Sequence, residues 1–169
     1  MKDILAQIRQ ANDAGLYYVA LFAALALPDI CGALESTDGQ ANGERYARWF
    51  DTHVSPRYRA GGQTTVTGED AYRFRCSMLH QGRTSHPQAR YSRILFVEPG
   101  VSGMILHNNV LNGALNIDVR IFVTDILEAV DAWLPSAELT PEYQANRPLF
   151  VTRYPNGLPP FIAGVPVIA

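Results

Sequence analysis

Thr67 to Gly82, TGEDAYRFRCSMLHQG, carries its own start and stop signals for a helix. Thr67 can cap the amino end, with Asp70 three residues on as the reciprocal carboxylate, and Gly82 can close the carboxyl end in a left-handed conformation. With Tyr72 set at 0° and about 100° per residue, Leu79, Cys76, Ala71 and Met78 share one apolar arc. Arg75 falls inside that arc, at about 300°, and His80 sits off its edge beside Glu69, at about 80°. A guanidinium in an apolar arc must find a carboxylate, a carbonyl or a polar cleft, because leaving it buried and unpaired costs several kcal/mol. Asp29, Glu35 and Asp70 are the carboxylates that can serve.

Upstream of this helix the pattern is helical throughout. Ile4, Leu5, Ile8 and Ala11 make a one-faced helix over residues 3 to 13, followed by the all-round apolar run Gly15 to Leu27, GLYYVALFAALAL. Pro28 is expected to break or kink that run and to begin a short helix from Asp29 to Leu34. Asn42 or Gly43 opens a third helix in which Tyr46, Trp49 and Phe50 share a face, ended by Pro56. The Gly61-Gly62 pair then loops into the Thr67 cap.

Downstream, the chain changes character. Arg93 to Val97 reads as a strand and Met104 to Asn108 as a second. Asn112-Gly113 suits a tight turn, so Ala114 to Ile117 returns as a third. Asp118 caps a final helix with Phe122, Ile126, Val130 and Trp133 on one stripe, which Pro135 is expected to stop. The remainder, residues 136 to 169, shows no helical period, yet Leu149-Phe150-Val151, Phe161-Ile162 and Val165 to Ile168 are too apolar for a loose tail. It is expected to be extended, ordered, and packed on the domain or on a partner chain. The fold class that results is α+β: a mostly helical single domain over 1–169, with a four-segment helical unit (1–83), a small antiparallel β-sheet and last helix (92–134), and an extended Pro-rich tail (136–169).

Composition narrows the function classes. The 169 residues are one domain's worth, and a hydrophobic content of 47% suffices for a sizeable core. A net charge of -2 excludes a broad basic field for nucleic acid or anionic membranes. Locally, Arg73, Arg75, Arg83, Arg90 and Arg93 gather five of the 14 positive charges. The thirteen-residue apolar run is short of the about 20 residues a membrane span needs, and its charged flank makes a poor signal peptide. Cys31 and Cys76 lack metal-type spacing, so a reduced, cytoplasmic setting is expected.

Arg75 and His80 form an Arg-x4-His pair near the end of a capped helix, and here the chain resembles the HEPN superfamily over roughly residues 1 to 83. Cys76 stands directly after the arginine, where that family generally carries a polar residue. The resemblance implies a small helical bundle acting as a metal-independent ribonuclease or RNA-binding module of a bacterial or phage defence or toxin system. It also implies a homodimer that brings two copies of the motif into one composite cleft. In that chemistry a 2′-hydroxyl attacks the adjacent phosphodiester, His80 moves the proton, and Arg75 neutralises the charge that develops on phosphorus. Neither metal nor cofactor enters. Glu69, Arg73 and Gln81 lie near the His80 face and are candidates to orient it.

Blander readings stand beside this one. In the non-enzymatic alternative, an oligomerising or partner-binding domain, Arg75 is a structural ion-pair centre and His80 merely ends a helix. A small-ligand pocket with the guanidinium at its base is a third reading. Cys76 and His80, one turn apart, can be drawn as a dyad, although a buried cysteine is usually inert packing. His53, His86 and His107 have irregular spacing for zinc. His107-Asn108-Asn109 reads as turn geometry, Trp49 and Trp133 read as core, and Glu69/Arg73 reads as an exposed ion pair.

Overall fold

Residues 1–84, 90–100 and 105–169 are described by a computed structural model of the chain. Helix α1 (Lys2–Asp13) buries Leu5, Ile8 and Asn12 on one face. Gly15, with φ +74, turns the chain into α2 (Tyr17–Leu34), which runs unbroken through Pro28. The expected break does not occur because the missing ladder bond falls late in the helix, where Leu27, Pro28, Cys31, Gly32 and Leu34 are all buried. The carboxyl end is held from outside. Asn146 donates from its side-chain amide to the carbonyls of Ala33 (3.2 Å), Leu34 (3.2 Å) and Ser36 (2.6 Å).

Continuity through Pro28 makes α2 longer than its apolar run suggests. It is 18 residues with a mean hydropathy of 1.7, and 56% of it is buried within the domain. Among the described residues it alone has the length and apolarity to cross a membrane. The surrounding helices bury just over half of it, so it serves as a core helix of this domain.

Helix α3 (Gly43–His53) is capped by Asn42, whose side chain accepts from the Arg45 amide. A single tight helical turn at Ser55–Arg57 follows, then a minimal hairpin in place of the expected loop, β1 (Arg59–Ala60) against β2 (Gln63–Thr64). Helix α4 (Gly68–Gln81) has the Thr67/Asp70 capping box and the left-handed Gly82 that its sequence calls for. The α3–α4 crossing is very close. A Cβ on Gly68 would lie 2.1 Å from the Ala47 carbonyl oxygen, so glycine is what lets α4 start there.

The sheet is mixed. Strand β3 (Arg93–Val97) lies at one edge, β5 (Ala114–Asp118) in the centre and β4 (Asn109–Leu111) at the other edge. The β4–β5 hairpin turns at Asn112-Gly113, both with positive φ, and is antiparallel as expected. The β3–β5 pair is parallel, from Arg93↔Ala114 to Val97↔Asp118, which corrects the expectation of a purely antiparallel sheet. The connection from β3 crosses to the far edge before the hairpin brings β5 back between the two. Ile105 to Asn108 do not form the expected strand, and Met104 lies outside the described residues, as does the His86-Pro87 pair.

Strand β5 feeds directly into α5 (Val119–Ala137), capped by Asp118 and continuous through Pro135 rather than stopped by it. Its stripe, including Phe122, Ile126, Val130 and Trp133, packs into a core with Tyr46, Trp49, Phe50 and Tyr58, all four fully buried. Trp49 meets Trp133 edge-on at 5.9 Å, the geometry that aromatic quadrupoles favour.

The tail departs from expectation in two ways. It contains a short helix, α6 (Pro141–Asn146), capped by Thr140, with Tyr143 and Asn146 buried. Beyond Val151 it forms a nested hairpin, with β6 (Arg153–Tyr154) on β9 (Val167–Ile168) and β7 (Gly157–Leu158) on β8 (Ile162–Ala163), whose Phe161, Ile162, Val165 and Ile168 side chains remain exposed. So only the start of the tail packs on the domain.

Candidate functional site

The side chains of the carboxyl half of α4 meet α2 and α3 at one polar spot. Asp29, the residue after Pro28 in α2, places Oδ2 2.7 Å from Arg75 Nε; its side chain is 13% exposed and that of Arg75 21%. The contact is a pairing of charges rather than an aligned hydrogen bond, since the Nε–H does not point at the oxygen. Burial pushes the Asp29 carboxyl above its ordinary range, and the Arg75 guanidinium pulls it back down. Of the three carboxylates available, this is the one Arg75 finds. Glu35 accepts from the Trp133 indole at 3.0 Å, and Asp70 serves the cap of α4 and Arg90.

The other end of the guanidinium reaches outward. Arg75 Nη1 lies 3.0 Å from His80 Nε2 and 3.9 Å from the Cys76 sulfur. Guanidinium only donates, so Nε2 must accept, which assigns the ring proton to Nδ1. On a helical wheel the two residues stand about 140° apart; they converge because the long arginine side chain runs along the helix toward its end. His80 is exposed, so the pair sits at the rim of the domain with one member anchored inward and the other open to solvent.

Two tyrosines complete the inner wall, and the sequence reading did not assign them there. Tyr46 of α3 is fully buried, and burial together with Asp29 pushes its hydroxyl well above the ordinary tyrosine range. Its ring lies 5.4 Å from that of Tyr72, whose hydroxyl has its proton affinity raised chiefly by the neighbouring Cys76 thiol. Tyr72 stands one turn before Arg75 and Cys76, a spacing that was available as a signal; the Tyr46 contact crosses between helices and was not.

The supporting residues divide. Glu69 pairs with Arg73 at 2.5 Å along the solvent face of α4. Asp70 is buried and structural: it accepts from the Thr67 amide (3.1 Å) and hydroxyl (2.8 Å), and from Arg90 at 2.8 Å. Arg90 also donates to the carbonyls of Thr64 and Thr65, fastening the β1–β2 hairpin to α4. Gln81 is exposed at the last position of the helix. The His80 ring is thus oriented by Arg75, while Glu69 and Asp70 are engaged elsewhere.

The remaining histidines and cysteines take other positions. His53 stacks on Trp49 at 4.9 Å, and burial lowers its proton affinity. His107 lies 5.5 Å from the Tyr58 ring and is likewise shifted down by burial. Cys31 is fully buried, which raises its thiol well above the ordinary range. Among the described residues no three His, Cys, Asp or Glu side chains gather as a metal cage; His86 lies outside them. Comparison with known protein families, curated proteins and solved structures gives no match to this chain.

Proposed function

We propose that the Arg75–His80 pair binds an RNA phosphodiester and cleaves it without a metal, in the manner that the HEPN resemblance implies. The observation that supports this reading is the 3.0 Å approach of Arg75 Nη1 to His80 Nε2 at the exposed end of α4. When Arg75 turns from Nε2 to the phosphate, the freed Nε2 lone pair can take the proton of a 2′-hydroxyl. The 2′-oxygen then bonds to phosphorus, and the bond to the 5′-oxygen breaks as the His80 imidazolium returns the proton to that oxygen. Arg75 offers charge to the developing oxyanion. Asp29 holds the guanidinium from its inner side, as a preorganised electrostatic site requires. The same resemblance suggests a second copy completing the cleft, and a cytoplasmic protein of a bacterial or phage defence or toxin system.

A second reading has its own observation: the largely enclosed Asp29–Arg75 contact favours Arg75 as a structural ion-pair centre of a non-enzymatic domain. Incubating single-stranded RNA with the protein in excess chelator separates the two. Under the nuclease reading, fragments bearing a 2′,3′-cyclic phosphate appear, and His80→Ala abolishes them at an unchanged melting temperature. Intact RNA with the wild-type chain, or equal cleavage by His80→Ala, removes the catalytic reading.

A further inference from the structure

The nested hairpin of residues 152–169 is an arm. Thr152 and Ala169 exchange backbone hydrogen bonds at 2.7 and 3.0 Å, so the arm is closed on itself at its base. Phe161 follows the Pro159-Pro160 turn at the tip and is 84% exposed; Ile162, Val165 and Ile168 are also exposed. From Tyr154 to Ala169 the arm carries no charged side chain. An isolated two-stranded hairpin is marginal in water, and an apolar one needs cover.

A matching surface lies elsewhere on the chain. Tyr18, 78% exposed, with Val19 and Phe22, stands beside a 230 Å³ groove formed by the start of α2, the end of α4 and strand β3. Tyr17, Leu21, Met78, Leu95 and Phe96 line it, and Glu98 is its one charged residue. Strand β3 is at the edge of its sheet, so its outer backbone groups are open to another strand among the described residues. The base of the arm meets the first turns of α1, whereas the groove begins after the end of α1, about 18 Å along that helix. The arm is therefore placed at the opposite end of α1 from its own chain's groove.

We propose that the arm docks in this groove on a second copy of the chain, and that the exchange is reciprocal. Charge selects the class of occupant. The arm's one charged side chain, Arg153, lies at its base, so the uncharged stretch from Tyr154 to Ala169 offers nothing to nucleic acid or to anionic lipid, and it fits an apolar groove with a single carboxylate at its border. Area selects the stoichiometry. At roughly 150–250 Å² for each large aromatic side chain and somewhat less for aliphatic ones, each exposed apolar surface amounts to about 500 Å². One arm in one groove falls short of the roughly 800 Å² per partner of a stable interface, whereas two reciprocal contacts exceed it. A closed two-fold dimer follows, in which backbone pairing to β3 adds strand-to-strand bonds. This inference rests on the two apolar surfaces and needs no part of the RNA-cleavage reading.

Light scattering on the full chain, over a wide concentration range, tests it with Phe161→Asp in the arm and Tyr18→Asp beside the groove. Both side chains are exposed, and far-UV circular dichroism checks that each variant is folded; Ile168→Asp and Leu95→Asp repeat the test should either fail. The expected result is a dimer for the wild type and a monomer for each variant. A monomeric wild type, or a dimer that survives either substitution, overturns the exchange. So does a wild-type monomer that co-sediments, through Phe161, with phosphatidylcholine vesicles, which would assign the arm to a lipid surface.

Discussion

Replacing Arg75 by Met tests the ion pair at the centre of the site while keeping the aliphatic stem that packs on α2. Opposite charges about 4 Å apart attract by about 4 kcal/mol at an effective dielectric constant near 20. With a fifth of the Arg75 side chain in solvent and the Asp29 side chain 13% exposed, screening and the desolvation of both groups leave a net coupling of about 2–3 kcal/mol. For a chain of this length that corresponds to a melting temperature lower by roughly 4–12 °C. Removing the guanidinium leaves burial opposed only by the weaker pull of His80 on Asp29, so its carboxyl rises further. A folded-state value above the unfolded one is a proton bound more tightly by the native chain. The native variant is therefore favoured in acid and loses stability as pH rises through that raised value. The penalty of Arg75→Met should be full at neutral pH and should shrink as pH falls toward the unfolded carboxylate range near about 4. Urea unfolding of wild type, Arg75→Met, Asp29→Asn and the double variant, each at neutral and at acidic pH, measures both effects. Additive single-variant losses, or a penalty that does not change with pH, would refute the coupling.

Two further substitutions probe how the site is positioned. Gly68→Ala puts a Cβ 2.1 Å from the Ala47 carbonyl oxygen and must push α4 off α3, whereas Gly82→Ala at φ +62 meets no atom within 4 Å. The first should cost about 3 kcal/mol or more and the second about 1 kcal/mol; equal losses in thermal denaturation would mean that α4 does not seat on Ala47. Asn146→Ala removes the side-chain amide shared by three carbonyls at the end of α2, of which Ala33 alone keeps the Ser36 amide and hydroxyl as donors. It should lower stability by about 2–3 kcal/mol, and a change below 0.5 kcal/mol, far under the ~1 kcal/mol of one ordinary hydrogen bond, would show that this cap carries no weight.

What was legible in the sequence was local chemistry. The Thr67/Asp70 box, the Gly82 stop, the Asn42 and Asp118 caps and the Asn112-Gly113 turn each depend on residues within three or four positions, and each appears as read. Pro28 and Pro135 were misread because propensity lost to tertiary burial: one absent ladder bond near a helix end is offset by the packed residues around it. The parallel β3–β5 pairing depends on how a long connection crosses the sheet, which no short-range signal encodes. At the site, the need of Arg75 for a carboxylate was legible and its choice of Asp29 was not, because the chain distance from 29 to 75 leaves several candidates equal until the helices pack. The tail's apolarity announced a buried surface, and the structure leaves that surface outward.

The convergence of Arg75 on His80 is the claim on which the functional reading depends, and the tautomer of the imidazole reports it directly. Two-bond nitrogen–proton NMR correlations of the His80 ring, recorded where the ring is neutral, should place the proton on Nδ1 in the wild type, and the Arg75→Met chain should lose that preference. A ring protonated on Nε2 in the wild type, or the same tautomer mixture in both proteins, would contradict the contact and with it the paired site.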